Sequence, residues 1–241
     1  MLGRVLTSLP RIMRLDLAVV TLPDWHPEAH AGRSSPVYGY VIDHPDGAIV
    51  VDTGVGEGNE LIDQVYEPQL LRLGDALEAV GVDQTSVVAV VNSHLHFDHC
   101  GQNPMLYGSE VPYFVQRLEV VEVERDPFYT DAEWALPPLA QRRLLDGDLA
   151  IAEGVTALST PGHTAGHQSV LVESTEQRVI IAAQAVWSSR EFVDEEATPS
   201  NVDAEERRAA AVDSIRRLKA LRPEVVHFSH CAAYRPDEAG E

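Results

Sequence analysis

The chain has 241 residues, 44% hydrophobic and 23% charged, the proportions of an ordinary globular protein that can bury one large core. Its formal net charge of −20 repels phosphate backbones and anionic bilayers, so neither nucleic acid nor a membrane surface is an expected partner. Two cysteines, Cys100 and Cys231, make no disulfide scaffold, and the arginines and aspartate at Arg11, Arg14 and Asp16 interrupt any signal-peptide core. With no stretch near the ~18 apolar residues of a membrane span, a cytoplasmic location is expected.

Residues 1–14 read as an N-terminal arm, and Leu15–Thr21 as a first strand. The β-like runs 38–42 and 48–51 flank the turn residues Asp43 to Gly47, which predicts a hairpin ending in Asp52-Thr53-Gly54. Residues 55–68 carry glycines and a proline and read as an irregular loop. Apolar residues at 70, 73, 77 and 80 predict a helix that Gly81 stops. Val87–Val91 is a buried strand, 111–115 another strand and 116–124 a short helix. Pro127, Phe128, Tyr129 and Trp134 follow in quick succession, so 126–140 reads as a lid. Further strands are expected at 150–151, 155–158, 169–172 and 179–183. An apolar stripe of Val212, Ile215, Leu218 and Leu221 marks a helix over 203–221, followed by a last strand over 225–228. Strands and helices do not alternate strictly, which favours two sheets with helices outside over one parallel sheet.

The most informative stretch is Ser93-His94-Leu95-His96-Phe97-Asp98-His99-Cys100-Gly101, three imidazoles and one carboxylate at the end of a buried strand. His94 and His96 are two apart, so an extended backbone points both to one side. Asp98 and His99 follow where the chain turns and can face a second point. Imidazole nitrogen and carboxylate oxygen suit a divalent cation such as zinc, and also manganese or iron. The loop Thr160 to His167 carries His163 and His167 between glycines, and the last strand ends in Ser229-His230-Cys231. His227 faces away from His230 in an extended strand. His26, His30, His44 and His227 have no companions in sequence and read as surface or core residues.

Asp52-Thr53-Gly54, the H-x-H-x-D-H cluster, the P-G-H-T-x-G-H loop and His230 together resemble the metallo-β-lactamase superfamily, in its order and approximate spacing, over about residues 15–235. The resemblance implies an α+β fold, the αββα sandwich of two packed mixed sheets with helices on the outer faces, built as a single domain over 1–241. It implies one or two divalent metal ions, zinc foremost. His94, His96 and His163 would hold the first and Asp98, His99 and His230 the second, with Asp52 orienting ligand histidines. His167 reads as structural. Residues 92–103 and 163–170, with the long helix before the final strand, are most similar to the N-acyl homoserine lactonase branch.

Two positions depart from that branch. Dinuclear members carry a metal-bridging aspartate after the strand 179–183, where this chain has Gln184. An amide oxygen can coordinate, but it brings no charge to offset two cations. Three positions on, a substrate-contacting tyrosine is replaced by Trp187, which donates one hydrogen bond but carries no phenol.

The implied activity is a metallo-hydrolase that uses metal-activated hydroxide on a lactone or related carboxylic ester, an N-acyl homoserine lactone among the candidates. Asp98, when protonated, would help the leaving alkoxide. Trp187, Phe128, Tyr129 and Trp134 would line the pocket of a small, partly apolar substrate, and a homodimer is compatible. The alternatives are a thioesterase of the glyoxalase II type and a mononuclear or degenerate member whose function is altered by Gln184. Iron redox members place a glutamate where His96 stands. RNA-processing members add a nuclease domain and basic surfaces, and neither feature is present in this sequence.

Overall fold

The computed structural model describes residues 6–26, 33–125, 130–198, 201–202 and 205–236. The chain divides into two compact units, one of residues 11–144 and one of residues 1–10 with 145–241.

The first unit holds a seven-stranded mixed sheet. Strands β1 (Arg11–Thr21), β2 (Ser34–His44) and β3 (Gly47–Val51) form an antiparallel meander. β4 (Gln69–Leu70) pairs with the free edge of β1. β5 (Val87–Val91) and β6 (Tyr113–Gln116) add in parallel beyond β3, and β7 (Arg142–Leu145) closes the far edge. Val-Val-Ala-Val-Val is β5 from end to end. Four of its five residues are β-branched valines, and all but Val88 are buried, as expected of a strand largely sheltered on both faces.

The second unit holds a five-stranded mixed sheet. Strands β8 (Leu149–Ala152), β9 (Val155–Ser159), β10 (Gln168–Glu173) and β11 (Arg178–Ala183) run antiparallel, and β12 (Val225–Phe228) joins β11 in parallel. The crossover into β12 is made by a 16-residue helix, Glu205–Ala220, with Glu205 and Glu206 in its first turn and Arg217 and Lys219 in its last. These charges oppose the helix dipole at both ends. Ala211, Ser214, Ile215 and Leu218 are its buried stripe, packed with Ile180, Val226 and Phe228.

Several expectations are corrected. β1 starts at Arg11, inside the stretch expected as an arm, because Arg11–Arg14 pairs along β2 from Asp43 to Tyr40. The loop expected over 55–68 contains helix α1 (Glu60–Tyr66), capped by the Asn59 side chain on the amides of Leu61 and Ile62. The helix expected from 70 is helix α2 (Leu73–Ala79), since Leu70 belongs to β4. Within the expected lid, 126–129 lies outside the described residues, and helix α5 (Ala132–Ala135) carries a buried Trp134. No described helix is long and apolar enough to cross a membrane.

Candidate metal centre

In the first unit the centre grows from the end of β5. The chain leaves the sheet at Val91, passes Asn92 to His96 as an irregular stretch with bends at Ser93 and His96, and enters the short helix α3 (Phe97–Cys100). Asp52, at the end of β3, sits at a left-handed φ of 61°. Its carboxylate accepts from the Ser93 amide at 2.7 Å, the Ser93 hydroxyl at 2.6 Å and His99 Nδ1 at 2.8 Å.

This arrangement assigns protons. An ionised carboxylate only accepts, so Ser93 gives its hydroxyl proton to Asp52 and His99 carries a proton on Nδ1. Ser93 Oγ is then left as the acceptor for His94 Nδ1, 3.1 Å away. In neutral His94 and His99 the bare nitrogen is therefore Nε2. His94 Nε2 lies 3.0 Å from His96 Nδ1, close to the roughly 3.3 Å between two nitrogens sharing a tetrahedral zinc. His99 Nε2 lies 3.6 Å from an oxygen of Asp98. These donors fit a divalent cation, as does the buried Asp52 behind them.

The turn is held from three further directions. The Leu95 amide, between the two histidines, donates to Glu119 Oε2 at 2.9 Å. Glu119, on helix α4 (Arg117–Arg125), is fully buried. Thr53 N donates to the His99 carbonyl, and Gly101 N to that of Gly54. A Cβ at Gly101 would lie 2.0 Å from Gly56 N, so only glycine lets the two loops meet. Cys100 packs beneath, with its thiol directed at the Leu95 and His96 carbonyls and its pKa pushed up by burial. It is a small packing residue of the surrounding apolar cluster.

Beside this cluster Tyr66 stacks on Phe97 at 4.4 Å, and Trp25, 70% exposed, meets Tyr66 edge-on at 6.5 Å. Burial and, less, the charge of Asp98 push the Tyr66 phenol up to about 12.

In the second unit the loop after β9 presents His163, whose Nδ1 lies 2.6 Å from the Asn201 carbonyl. A carbonyl only accepts, so His163 too has its proton on Nδ1 and Nε2 bare when neutral. A Cβ at Gly162 would meet Ala211 of the long helix at 2.5 Å, so glycine seats this loop on it. His167 is fully buried, with Nδ1 2.9 Å from Thr160 Oγ1, in a chain that runs through Ser169 Oγ to the Ala182 carbonyl. That network closes the loop at its base and gives His167 the structural role expected of it. Gln184 is buried directly after β11, where Ala183 takes a left-handed φ of 50°. Trp187 stacks on His230 with ring centroids 4.6 Å apart and planes at 26°. His230 is buried two residues beyond β12, and His227 is only half-buried within that strand.

Of the residues expected to line a pocket, Trp134 belongs instead to an apolar cluster with Val55, Leu95 and Val120, because its ring fills the space over Gly56. Phe128 and Tyr129 lie outside the described residues, as does His30. Glu119, Asn201, Tyr66 and Trp25 were not anticipated. Burial of a glutamate and use of a main-chain carbonyl leave no mark in a sequence.

Known proteins bear on this centre. The profile of the Metallo-beta-lactamase superfamily matches residues 32–230. An N-acyl homoserine lactonase of a Bacillus species is 32% identical over 210 residues, covering 81% of each chain. The N-acyl homoserine lactonase AiiA of Bacillus thuringiensis subsp. kurstaki is 34% identical over 214 residues, again 81% of each. A solved N-acyl homoserine lactone hydrolase, with N-hexanoyl-L-homoserine bound at its catalytic metal centre, superposes with a TM-score of 0.76. It is 26% identical and covers 92% of this chain and 94% of its own. Two mixed sheets with helices, the α+β class expected, are thus shared with metal-dependent hydrolases. The chain belongs to the Metallo-beta-lactamase superfamily, as one of its hydrolases.

Proposed function

We propose that the protein is a lactonase of the carboxylic ester hydrolase type, with N-acyl homoserine lactones as the first candidate substrates. The observation that carries the reading is the proton assignment: Asp52 through Ser93, Asp52 directly, and the Asn201 carbonyl each leave a histidine with Nε2 bare. Nothing in a polar turn requires three such arrangements, whereas cation binding does. Its relatives' names point the same way.

In this proposal His94, His96 and His163 hold one divalent cation, and Asp98, His99 and His230 a second. Zinc is the proposed ion, since nitrogen-rich sets suit it. A cation held there supplies acidity to a water molecule and polarises a carbonyl oxygen. The chain's own groups do the rest. One oxygen of Asp98 can ligate while the other holds the proton that the leaving alkoxide takes up. Trp25, Tyr66 and Phe97 give an apolar wall on the Asp98 side for an acyl chain, and Trp187 donates its indole N–H to a polar atom of the substrate.

Gln184 favours a particular version of this centre. Without a bridging carboxylate, two cations repel with less compensation, so one site binds tightly and the other weakly. The test is a turnover panel of acyl homoserine lactones, other lactones and glutathione thioesters with zinc-loaded protein. Lactone opening with little thioester cleavage is expected. Brisk thioester cleavage without lactone opening would replace the reading by a thioesterase of the glyoxalase II type.

A further inference from the structure

Glu191 belongs to none of the motifs that mark the centre. It lies on helix α6 (Ser189–Asp194), is 4% exposed, and has no ion-pair partner among the described residues. Three donors converge on it. The Trp187 amide donates to Oε2 at 2.7 Å, the Thr198 amide to Oε1 at 3.1 Å, and the Thr198 hydroxyl also to Oε1. Ser188 caps the same helix through the Glu191 amide at 3.3 Å. A capping-box glutamate would reach back to the cap residue's amide; this one reaches one residue further, to Trp187. Three donors at two points need two acceptor oxygens, which only a carboxylate provides.

Each arm ends on a proposed ligand. On one side the Trp187 amide is fixed, and the Trp187 ring lies flat against His230. On the other, the Thr198 carbonyl accepts from the amides of Asn201 and Val202, at 3.1 and 2.9 Å. Asn201 is thereby set with its side chain on the Ala185 carbonyl and its own carbonyl on His163 Nδ1. One buried carboxylate therefore braces both segments that orient His163 and His230.

We infer that Glu191 is a positioning residue for the metal centre, holding the Trp187–His230 stack and the Asn201–His163 hydrogen bond in place together. The inference rests on the proposed metal-binding reading. Substitution Glu191→Gln keeps the volume but one acceptor only, and Asp194→Asn on the exposed face of the same helix serves as the control. Two readouts apply to the full chain. In metal-free protein, the His163 ring ¹⁵N shifts report its tautomer; in loaded protein, chelator competition reports the zinc dissociation constant.

E191Q should mix the His163 tautomers and weaken zinc by about 10- to 100-fold, with the control unchanged. A folded E191Q with wild-type ¹⁵N shifts and zinc affinity would overturn the inference. Should E191Q lose its cooperative melt, Thr198→Val removes the hydroxyl arm alone and carries the same comparison. Absence of zinc binding in the wild type would sink the metal reading instead, while the metal-free ¹⁵N comparison would still decide the role of Glu191.

Discussion

Asp52→Asn is the sharpest perturbation of this centre because it changes proton positions while sparing the backbone. Asparagine tolerates the left-handed φ of 61° at this position and matches the carboxylate in shape. With its oxygen toward the Ser93 amide, its NH₂ occupies the place of Oδ2 and must donate to Ser93 Oγ. Ser93 then turns its hydroxyl proton toward His94 Nδ1, and His99 Nδ1 also faces a donor. Both imidazoles must move their protons to Nε2, the nitrogen offered to the cation. The flipped amide avoids this but sets NH₂ against the Ser93 amide, leaving buried donors unpaired at a cost of about 1–3 kcal/mol. Either outcome should weaken zinc by about 10- to 100-fold, or about 1.4–2.8 kcal/mol. Chelator competition measures the loss, and histidine ¹⁵N shifts of the metal-free protein show the tautomers. Wild-type affinity together with unmoved tautomers in D52N would refute the reasoning.

Gly101→Ala drives a Cβ into the Gly56 and Val55 backbone, at 2.0 and 2.5 Å, so the 52–56 loop must shift. Overpacking of this kind costs about 1–3 kcal/mol or more, and the melting temperature should fall by about 2–4 °C per kcal/mol in thermal denaturation. Gln184→Asp adds the missing charge, and elemental analysis at limiting zinc should show the second equivalent binding more tightly than in the wild type. At Asp148, partial burial raises the carboxyl pKa, but Arg217 and the Ser159 amide outweigh it and leave the net shift downward. A lowered folded pKa gives stability that is complete above the unfolded value near 3.9 and is lost as pH falls through the folded one. Asp148→Asn should therefore cost up to about 1 kcal/mol at neutral pH, the ceiling for so exposed a pair, and in urea melts the gap from wild type should close as pH falls through the lowered folded value.

What the sequence made legible follows from how local each signal is. The short apolar runs of β5 and β12 match the structure to the residue, because valine-rich stretches of four or five residues bounded by turn and loop residues suit a strand. His94, His96, Asp98 and His99 were readable because their spacing alone places them on one short turn. α1 was not, although its cap Asn59 was visible, because it ends at Glu67 in a left-handed conformation without a glycine. The Ser188–Glu191 pair carried a helix-start pattern that went unread for α6. β7, opening Arg-Arg, hides as an edge strand. Glu119 and Glu191 act through burial among distant segments, and the Asn201 carbonyl through the main chain, so neither spacing nor residue type announces them.

The most direct measurement is the zinc content of the purified chain by elemental analysis, after expression with added zinc and exhaustive buffer exchange. The account predicts at least one tightly held equivalent, rising toward two with free zinc, and its loss on His94→Ala. A wild-type chain that retains none would contradict it.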